Sequence, residues 1–208
     1  MKNKLKSKQW AYVGGLSKPG KMPCFGYSLP AAECKVGGSL RDIEGSVCHG
    51  CYAHRGNYLY PSVDDALYRR LKSITKIKWV DCMVALLEGE RHFRWHDAGD
   101  IQSAKHLLDI FEVCDRTPTT SHWLPTREYK FVEQALKKRK VPENMCLRLS
   151  GHMINESGPV VLAKRLGVQM SEVFKEGYTC PASTQNNKCQ DCRACWDKNN
   201  FNIIYKKH

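Results

Sequence analysis

The stretch HFRWHDAGD, residues 92–100, decides the fold, because it is predicted to be a short strand that ends in a polar cluster with a glycine. Apolar residues at helical spacing predict a helix from 101 to about 115. The same unit recurs as a strand at 119–124 with a helix at about 128–140, and again as a strand at 145–149. This alternation favours parallel β/α units. It predicts an α/β fold in the form of a partial or distorted, TIM-barrel-like (β/α) barrel.

Further elements are predicted on either side of these units. Ser62 begins an S-x-x-D motif that fits a capping box, so a helix is predicted over 63–77, and a second helix over 79–87. Residues 171–175 are predicted to form a short helix. The segment FNIIY, residues 201–205, is rich in β-branched and aromatic residues and is predicted to be a strand.

Polar residues follow each of the three predicted strands, where parallel β/α folds collect their active sites. They are His96, Asp97 and Asp100 after the first strand, Thr126 and Arg127 after the second, and Ser150 and His152 after the third. Each group also fits local turn chemistry, but three groups in the same relative place favour a shared site.

His96, Asp97 and Arg127 are the candidate catalytic residues. His96 and Asp97 suit an acid–base pair or the orientation of a bound ligand, and the structural alternative is a hydrogen-bonded pair that closes the strand. Arg127 suits bidentate binding of a carboxylate or phosphate, and the alternative is a local ion pair with Glu128.

Asp100, Thr126, Ser150 and His152 are the candidate cofactor-binding residues. For Asp100 and Thr126 the structural alternative is an N-cap, because each precedes a predicted helix. For His152 the alternative is an ordinary surface histidine.

The stretch TCPASTQNNKCQDCRACW, residues 179–196, is predicted to be a metal-binding loop. It contains Cys180, Cys189, Cys192 and Cys195. The last three have the spacing C-x2-C-x2-C, which lets three thiolates converge on one metal centre. Disulfides are disfavoured, because cysteines this close in sequence rarely bridge and the chain has eleven of them, an odd number.

A second pair, Cys48 and Cys51, has the spacing C-x2-C and suits either a metal or a redox dithiol. Six cysteines are therefore candidates for four ligand positions. Cys180, Cys189, Cys192 and Cys195 are favoured, and Cys51 is the next candidate for the fourth position. The spacing favours a 4Fe–4S cluster over zinc, because C-x2-C-x2-C with a remote Cys-Pro resembles the ferredoxin arrangement. Cys24 and Cys34 lack close partners in the sequence and are predicted to be buried thiols.

The chain has 208 residues and a net charge of +12, much of it near the N-terminus. Residues 1–21 are predicted to be a basic, irregular arm ahead of a single α/β domain over 22–208. Nucleic acid is a candidate partner for the arm, and a solubilising tail is the alternative. No apolar run has the length of a signal peptide or a membrane span, so we expect a cytoplasmic protein without a membrane partner.

The motifs GSVCHGCYA, FRWHDAGD, WLPTREY and CPA…CQDCRACW, in this order, resemble the gene product 88 family of phage proteins over most of residues 22–205. The resemblance implies a phage-encoded protein that works in the cytoplasm of the host. A looser resemblance is to radical-SAM enzymes, which are partial (β/α) barrels with an early cysteine loop that holds a 4Fe–4S cluster. It implies that Cys48, Cys51 and Tyr52 lie in that loop. The sequence departs from those enzymes in lacking a C-x3-C-x2-C loop.

The expected function is that of an iron–sulfur protein with a redox or radical-SAM-like role and a pocket beside the cluster. Its expected partner is a small molecule or a host redox protein. The alternative is a zinc-stabilised protein that binds nucleic acid or a host protein.

Overall fold

Six short strands line up into one parallel sheet in the computed structural model of the protein, which describes residues 2–207. Met1, the first residue of the predicted arm, and His208, the last residue of the predicted domain, lie outside the described residues. The strands are β1 (Gly26–Tyr27), β2 (His92–Trp95), β3 (Ser121–Thr126), β4 (Met145–Ile154), β5 (Gln169–Phe174) and β6 (Asn202–Lys206). Their order across the sheet is their order in the chain, and every neighbouring pair is parallel. The predicted α/β class is confirmed.

Helices connect the strands and cover one face of the sheet. They are α1 (Lys2–Tyr12), α2 (Lys35–Leu40), α3 (Pro61–Ser73), α4 (Trp79–Leu87), α5 (Ala104–Arg116), α6 (Tyr129–Leu136) and α7 (Val160–Leu166). Alternate strand residues such as Phe93, Leu124 and Leu147 are fully buried and pack with helix residues such as Leu107 and Val132 in one core. The burial of these apolar side chains is the main stabilising contribution.

The other face of the sheet carries larger and more polar side chains, and the cysteine-rich loop covers it. Arg148 on β4 donates hydrogen bonds to the backbone oxygens of Cys195 (3.2 Å) and Asp197 (3.0 Å) in that loop. The indole nitrogen of Trp196 donates to the backbone oxygen of Phe93 on β2, at 2.9 Å. The C-terminal loop is therefore attached to the middle of the sheet.

Two predicted helix starts are wrong. Helix α3 begins at Pro61, with Tyr60 as its N-cap and no side-chain cap, because proline suits the first turn and needs no hydrogen-bond acceptor there. The S-x-x-D motif at Ser62 is therefore not a capping box. Helix α5 begins at Ala104, because the hydroxyl of Ser103 accepts a hydrogen bond from the backbone of His106. Asp100 is consequently not its N-cap.

Three other predictions need correction. The N-terminal segment is helical from Lys2 to Tyr12 and contacts α4, because its helix-breaking residues begin only at Gly14. Residues 171–175, predicted as a helix, lie largely in strand β5, which is hydrogen-bonded between β4 and β6. Strand β4 continues to Ile154, so Ser150 and His152 lie within it rather than after it. The division of the chain at residue 21 stays a prediction.

None of the helices in the described part of the chain is long and apolar enough to cross a membrane.

Candidate functional site

A pocket of about 700 Å³ opens at the carboxyl ends of the strands. Residues 96–100 after β2 line it, together with Arg127 after β3, Ser150 on β4 and Ser171 on β5. Of the seven predicted strand-end residues, the pocket thus brings together His96, Asp97, Asp100, Arg127 and Ser150. Their roles stay predictions.

Thr126 and His152 are the two strand-end residues that do not line this pocket. Thr126 is buried behind it, where its hydroxyl donates to Asp100 at 2.6 Å. The ring of His152 stacks on that of Tyr129, with the centroids 4.7 Å apart. Thr126 therefore supports the pocket through Asp100, whereas His152 packs outside it.

His96 is held in an unusual conformation at the wall of the pocket. Its backbone φ is 53°, a left-handed value that is strained for a residue other than glycine. Its side chain is buried, and neither ring nitrogen has a hydrogen-bond partner. Burial lowers the pKa of the imidazole to about 3, so His96 is neutral at physiological pH. The ring can therefore donate one hydrogen bond to a ligand and accept another.

Asp97 does not pair with His96. Its carboxylate accepts hydrogen bonds from the hydroxyls of Ser28 and Tyr58, the latter at 2.9 Å. Tyr52 donates to the backbone oxygen of Asp97. The structural alternative of a hydrogen-bonded pair of His96 and Asp97 is not formed, because the carboxylate of Asp97 turns toward Ser28 and Tyr58.

Asp100 joins the segments that follow β2 and β3. One carboxylate oxygen accepts from the backbone of Ile101 at 2.8 Å, as well as from Thr126, and the other accepts from the backbone of Arg127 at 2.9 Å. Burial raises the pKa of this carboxyl to about 6, although these three hydrogen bonds oppose the rise. Thr126 in turn accepts from the backbone of Glu128 at 3.0 Å, and Glu128 is the N-cap residue of α6.

Arg127 and Glu128 point to different places, so the predicted ion pair between them is not formed. The guanidinium of Arg127 donates to the backbone oxygen of Gly151 at 3.1 Å. The carboxylate of Glu128 accepts from the backbone nitrogens of Lys35 (3.0 Å) and Val36 (2.8 Å), at the start of α2. Glu128 therefore fixes the residues that directly follow Cys34.

Cys34, Cys48 and Cys51 lie together on one wall of the pocket and are named here the early thiol group. A Cβ atom placed on Gly37 would lie 3.5 Å from the sulfur of Cys48 and 3.7 Å from the sulfur of Cys34. Burial raises the pKa of the Cys34 thiol, and the charges of Cys48 and Cys51 add to the rise. Cys34 is predicted to be a buried thiol, and in the structure it is half-buried and lines the pocket. No spacing pattern could have found its place in this group, because the fold alone brings it to Cys48.

The loop that carries Cys48 is anchored to strand β4. The backbone nitrogen of Val47 donates to the oxygen of His152 at 2.8 Å, and that of Ile154 donates to the oxygen of Gly45 at 2.9 Å. Since a glycine-flanked loop has no regular structure of its own, these bonds set the position of the thiol.

Four cysteines form the late thiol group, namely Cys180, Cys189, Cys192 and Cys195. All except Cys192 line the same pocket as the early thiol group. Burial raises the pKa of the Cys189 thiol, and the charges of Cys180 and Cys192 add to that rise. The hydroxyl of Tyr205 lies 3.3 Å from the sulfur of Cys195. Cys24 is buried nearby, as predicted.

Each thiol group has an arginine beside it, and sequence reasoning missed the one beside the late group. The guanidinium of Arg94 lies 4.4 Å above the ring of Trp123, and its Nε atom has no hydrogen-bond partner. Burial raises the pKa of the Cys195 thiol to about 12, and a hydrogen bond with Tyr205 and the charges of Arg148 and Arg94 oppose that rise. Arg127 acts in the same way on Cys48. A cation beside a thiol favours the thiolate, which is the form that binds metals.

The two thiol groups offer only sulfur donors, which suit soft metals and iron–sulfur clusters. Within residues 2–207, no three His, Cys, Asp or Glu side chains converge closely enough to hold one metal ion. The residue types fit a cluster, in which each thiolate binds a separate iron atom.

Comparison with known proteins gives one match. No curated protein and no solved structure resembles the chain. The protein family described as gene product 88 matches residues 1–198, which is nearly the whole chain. The chain therefore belongs to the gene product 88 family of phage proteins.

Proposed function

We propose that this protein is an iron–sulfur protein in which the late thiol group holds a 4Fe–4S cluster beside the strand-end pocket. The observation that carries the proposal is that three of the four late thiols line this pocket. Four thiolates complete the ligand set of such a cluster. When bound, the cluster would accept or supply single electrons next to a molecule in the pocket.

The chain's own residues support this role in two ways. The charge of Lys21 opposes the rise in the pKa of Cys189, that of Arg148 opposes the rise in the pKa of Cys195, and Arg94 adds to both effects, which favours the deprotonated ligands that a metal needs. Arg148 also holds the loop through the backbone oxygens of Ala194, Cys195 and Asp197, which limits the movement of Cys195.

A small molecule is the proposed occupant of the pocket. His96 offers it one donor and one acceptor, because both ring nitrogens are unpartnered. Arg127 and Asp97 offer a cation and an anion on the same wall. These are the residue types that bind and orient a polar molecule beside a redox centre.

The partial barrel is part of the same proposal. A parallel sheet in which the strands follow chain order is the arrangement found around a (β/α) barrel. Met22 lies shortly before β1 and Tyr205 lies on β6, and both pack against the buried side chains of Cys24, Trp123 and Trp196. Because residues near both edge strands meet the same apolar side chains, a curled sheet is favoured.

The proposal is tested by the iron and sulfide content of anaerobically prepared protein. The variant Cys189→Ser/Cys192→Ser should lose about four iron atoms per chain and the associated visible absorption. Cys82→Ser is the matched control, because Cys82 is buried in α4 away from the pocket and should leave the iron content unchanged. Equal iron in wild type and double variant would contradict the proposal.

A nucleic-acid-binding protein stabilised by zinc is the second candidate. Helix α1 favours it, because Lys6 and Lys8 are exposed on it. Phosphate contacts from these lysines would give binding that weakens steeply with salt. Lys6→Glu/Lys8→Glu should then release the protein from DNA or RNA at lower salt than wild type. Identical elution of both proteins would remove this candidate.

A further inference from the structure

We propose that the early thiol group is a second and separate metal site, in which Cys34, Cys48 and Cys51 hold an iron–sulfur cluster through three thiolates. Three protein ligands leave one iron of a four-iron cluster without a thiolate. Because all three cysteines line the pocket, a ligand in the pocket can reach that iron. The inference does not depend on the cluster in the late thiol group, because the two sites share no ligand.

The space beside Gly37 is the first observation behind the site. A Cβ atom at this position would lie 3.0 Å from the Cβ atom of Cys34, which is too close without a shift, and 3.5 Å from the sulfur of Cys48. Gly37 lies in helix α2 and is not among the glycines with a positive φ, so its backbone does not require glycine. Glycine in a helix costs about 1 kcal/mol relative to alanine. A Cβ atom here would press on the Cβ atom of Cys34 and touch the sulfurs of Cys34 and Cys48, so glycine leaves this side of both thiols free for a ligand.

The anchoring of Cys34 and Cys48 is the second observation. Glu128, which is buried, accepts two backbone hydrogen bonds from Lys35 and Val36, directly after Cys34. Strand β4 holds Val47, directly before Cys48. Cysteines fourteen positions apart in the sequence, Cys34 and Cys48, are thus brought to one place by contacts with β4 and the residues after β3. Core thiols would need no such support.

The unpartnered ring of His96 is a third observation, and it points to a ligand at this wall. His96 is 3 % exposed, and both of its ring nitrogens lack a hydrogen-bond partner. It lines the same pocket as the early thiol group. A buried polar group without a partner is costly unless a bound molecule supplies one. A molecule that reaches the open iron has His96 within the same cavity.

The test is anaerobic reconstitution of the full chain with ferrous iron and sulfide, followed by measurement of iron and sulfide per chain. Wild type should bind about eight iron atoms, and Cys34→Ser/Cys48→Ser/Cys51→Ser about four. Gly37→Ala, like the triple variant, should bind about four iron atoms fewer than wild type. Gly38→Ala is the matched control, because a Cβ atom on this next residue of α2 meets nothing within 4 Å. It should bind as much iron as wild type.

The iron atom without a thiolate ligand can be detected separately by spectroscopy. In Cys189→Ser/Cys192→Ser, which retains only the early site, cyanide should change the electron paramagnetic resonance spectrum of the reduced protein. The iron that remains in each variant, together with its far-ultraviolet circular dichroism, shows whether the chain is folded.

The two proposals fail in different ways. If wild type binds about four irons that only the late substitutions remove, the early site is overturned and the proposed function stands. If only the early substitutions remove them, the late cluster is overturned instead. Full iron in Gly37→Ala, or a spectrum insensitive to cyanide, would contradict a three-thiolate site beside Gly37.

Discussion

Arg148 shows how a single residue can fix a functional loop. Its side chain is fully buried on β4 and donates hydrogen bonds to backbone oxygens of the late loop and its neighbours. The acceptors are those of Met170, Ala194, Cys195, Asp197 and Asn200, at 2.8–3.2 Å. Loss of the guanidinium would therefore leave several buried backbone oxygens without a hydrogen-bond donor.

Arg148→Met should therefore lower the free energy of unfolding by about 3 kcal/mol, because unsatisfied buried acceptors are costly. Urea denaturation measures this, with Arg148→Lys as the control that keeps the charge and part of the hydrogen bonding. We expect Arg148→Lys to fall between wild type and Arg148→Met. A loss of less than about 0.5 kcal/mol in Arg148→Met, the range of an ordinary surface substitution, would show that the loop is held by other contacts.

Asp100 should make stability depend on pH. Burial raises the pKa of its carboxyl from 3.8 to about 6 in the folded chain. Because the folded state then binds the proton more tightly than the unfolded state, the contribution of Asp100 is greatest below about pH 4 and is lost as the pH rises through about 6. The difference corresponds to about 3 kcal/mol.

The measurement for Asp100 is urea denaturation of wild type and Asp100→Asn at several pH values. The wild-type free energy of unfolding, relative to that of the variant, should decrease by about 3 kcal/mol between about pH 3 and pH 7, because the amide does not titrate. A constant difference across this range would contradict the raised pKa.

At the scale of single residues, the sequence allowed part of the candidate site to be predicted. His96 and Asp97 stand out because polar residues directly follow a strand. Cys34 and Arg94 do not, because their importance depends on which residues the fold brings to them. Cys34 is separated from Cys48 by a helix and a loop, and Arg94 looks like an ordinary strand residue.

At the scale of elements, the segments that follow β1 and β2 are packed tightly against each other. Gly99 has a φ of +76°, and a Cβ atom there would lie 2.5 Å from the backbone oxygen of Leu29. The backbone nitrogen of Leu29 also donates to the oxygen of Ala98 at 2.9 Å. This contact places His96 and Asp97 at the pocket wall.

Gly99→Ala should therefore destabilise the chain more than Gly89→Ala does. Gly89 has a similar φ of +88°, but a Cβ atom there meets nothing within 4 Å, so the pair separates the steric clash from the backbone strain. We expect an additional loss of about 2 kcal/mol for Gly99→Ala in the free energy of unfolding. Equal losses in thermal or urea denaturation would show that the two segments can move apart.

Helices and strands could be predicted where the apolar residues follow one clear spacing along the sequence. Helix α4 runs over 79–87, as its apolar spacing predicts. The segment QMSEVF of β5 was mistaken in part for a helix, because polar residues such as Ser171 and Glu172 are buried there. Their burial depends on neighbouring strands, which local sequence does not reveal.

At the scale of the whole molecule, the order of the strands explains how distant cysteines come to share one pocket. Six parallel strands in chain order place all carboxyl ends on one edge. The backbone nitrogen of Cys189 donates to the oxygen of Lys21 at 2.9 Å, so the late loop also reaches the residues before β1. The alternation of strands and helices allowed the α/β class to be predicted. The approach of Cys34 to Cys48 could not be predicted, because it depends on long-range contacts.

The iron–sulfur assignment is tested most directly by the metal and sulfide content of the full chain purified without oxygen, measured together with its visible spectrum. The protein should be brown and contain iron and acid-labile sulfide in nearly equal amounts. A colourless protein that contains stoichiometric zinc and no sulfide would contradict the assignment.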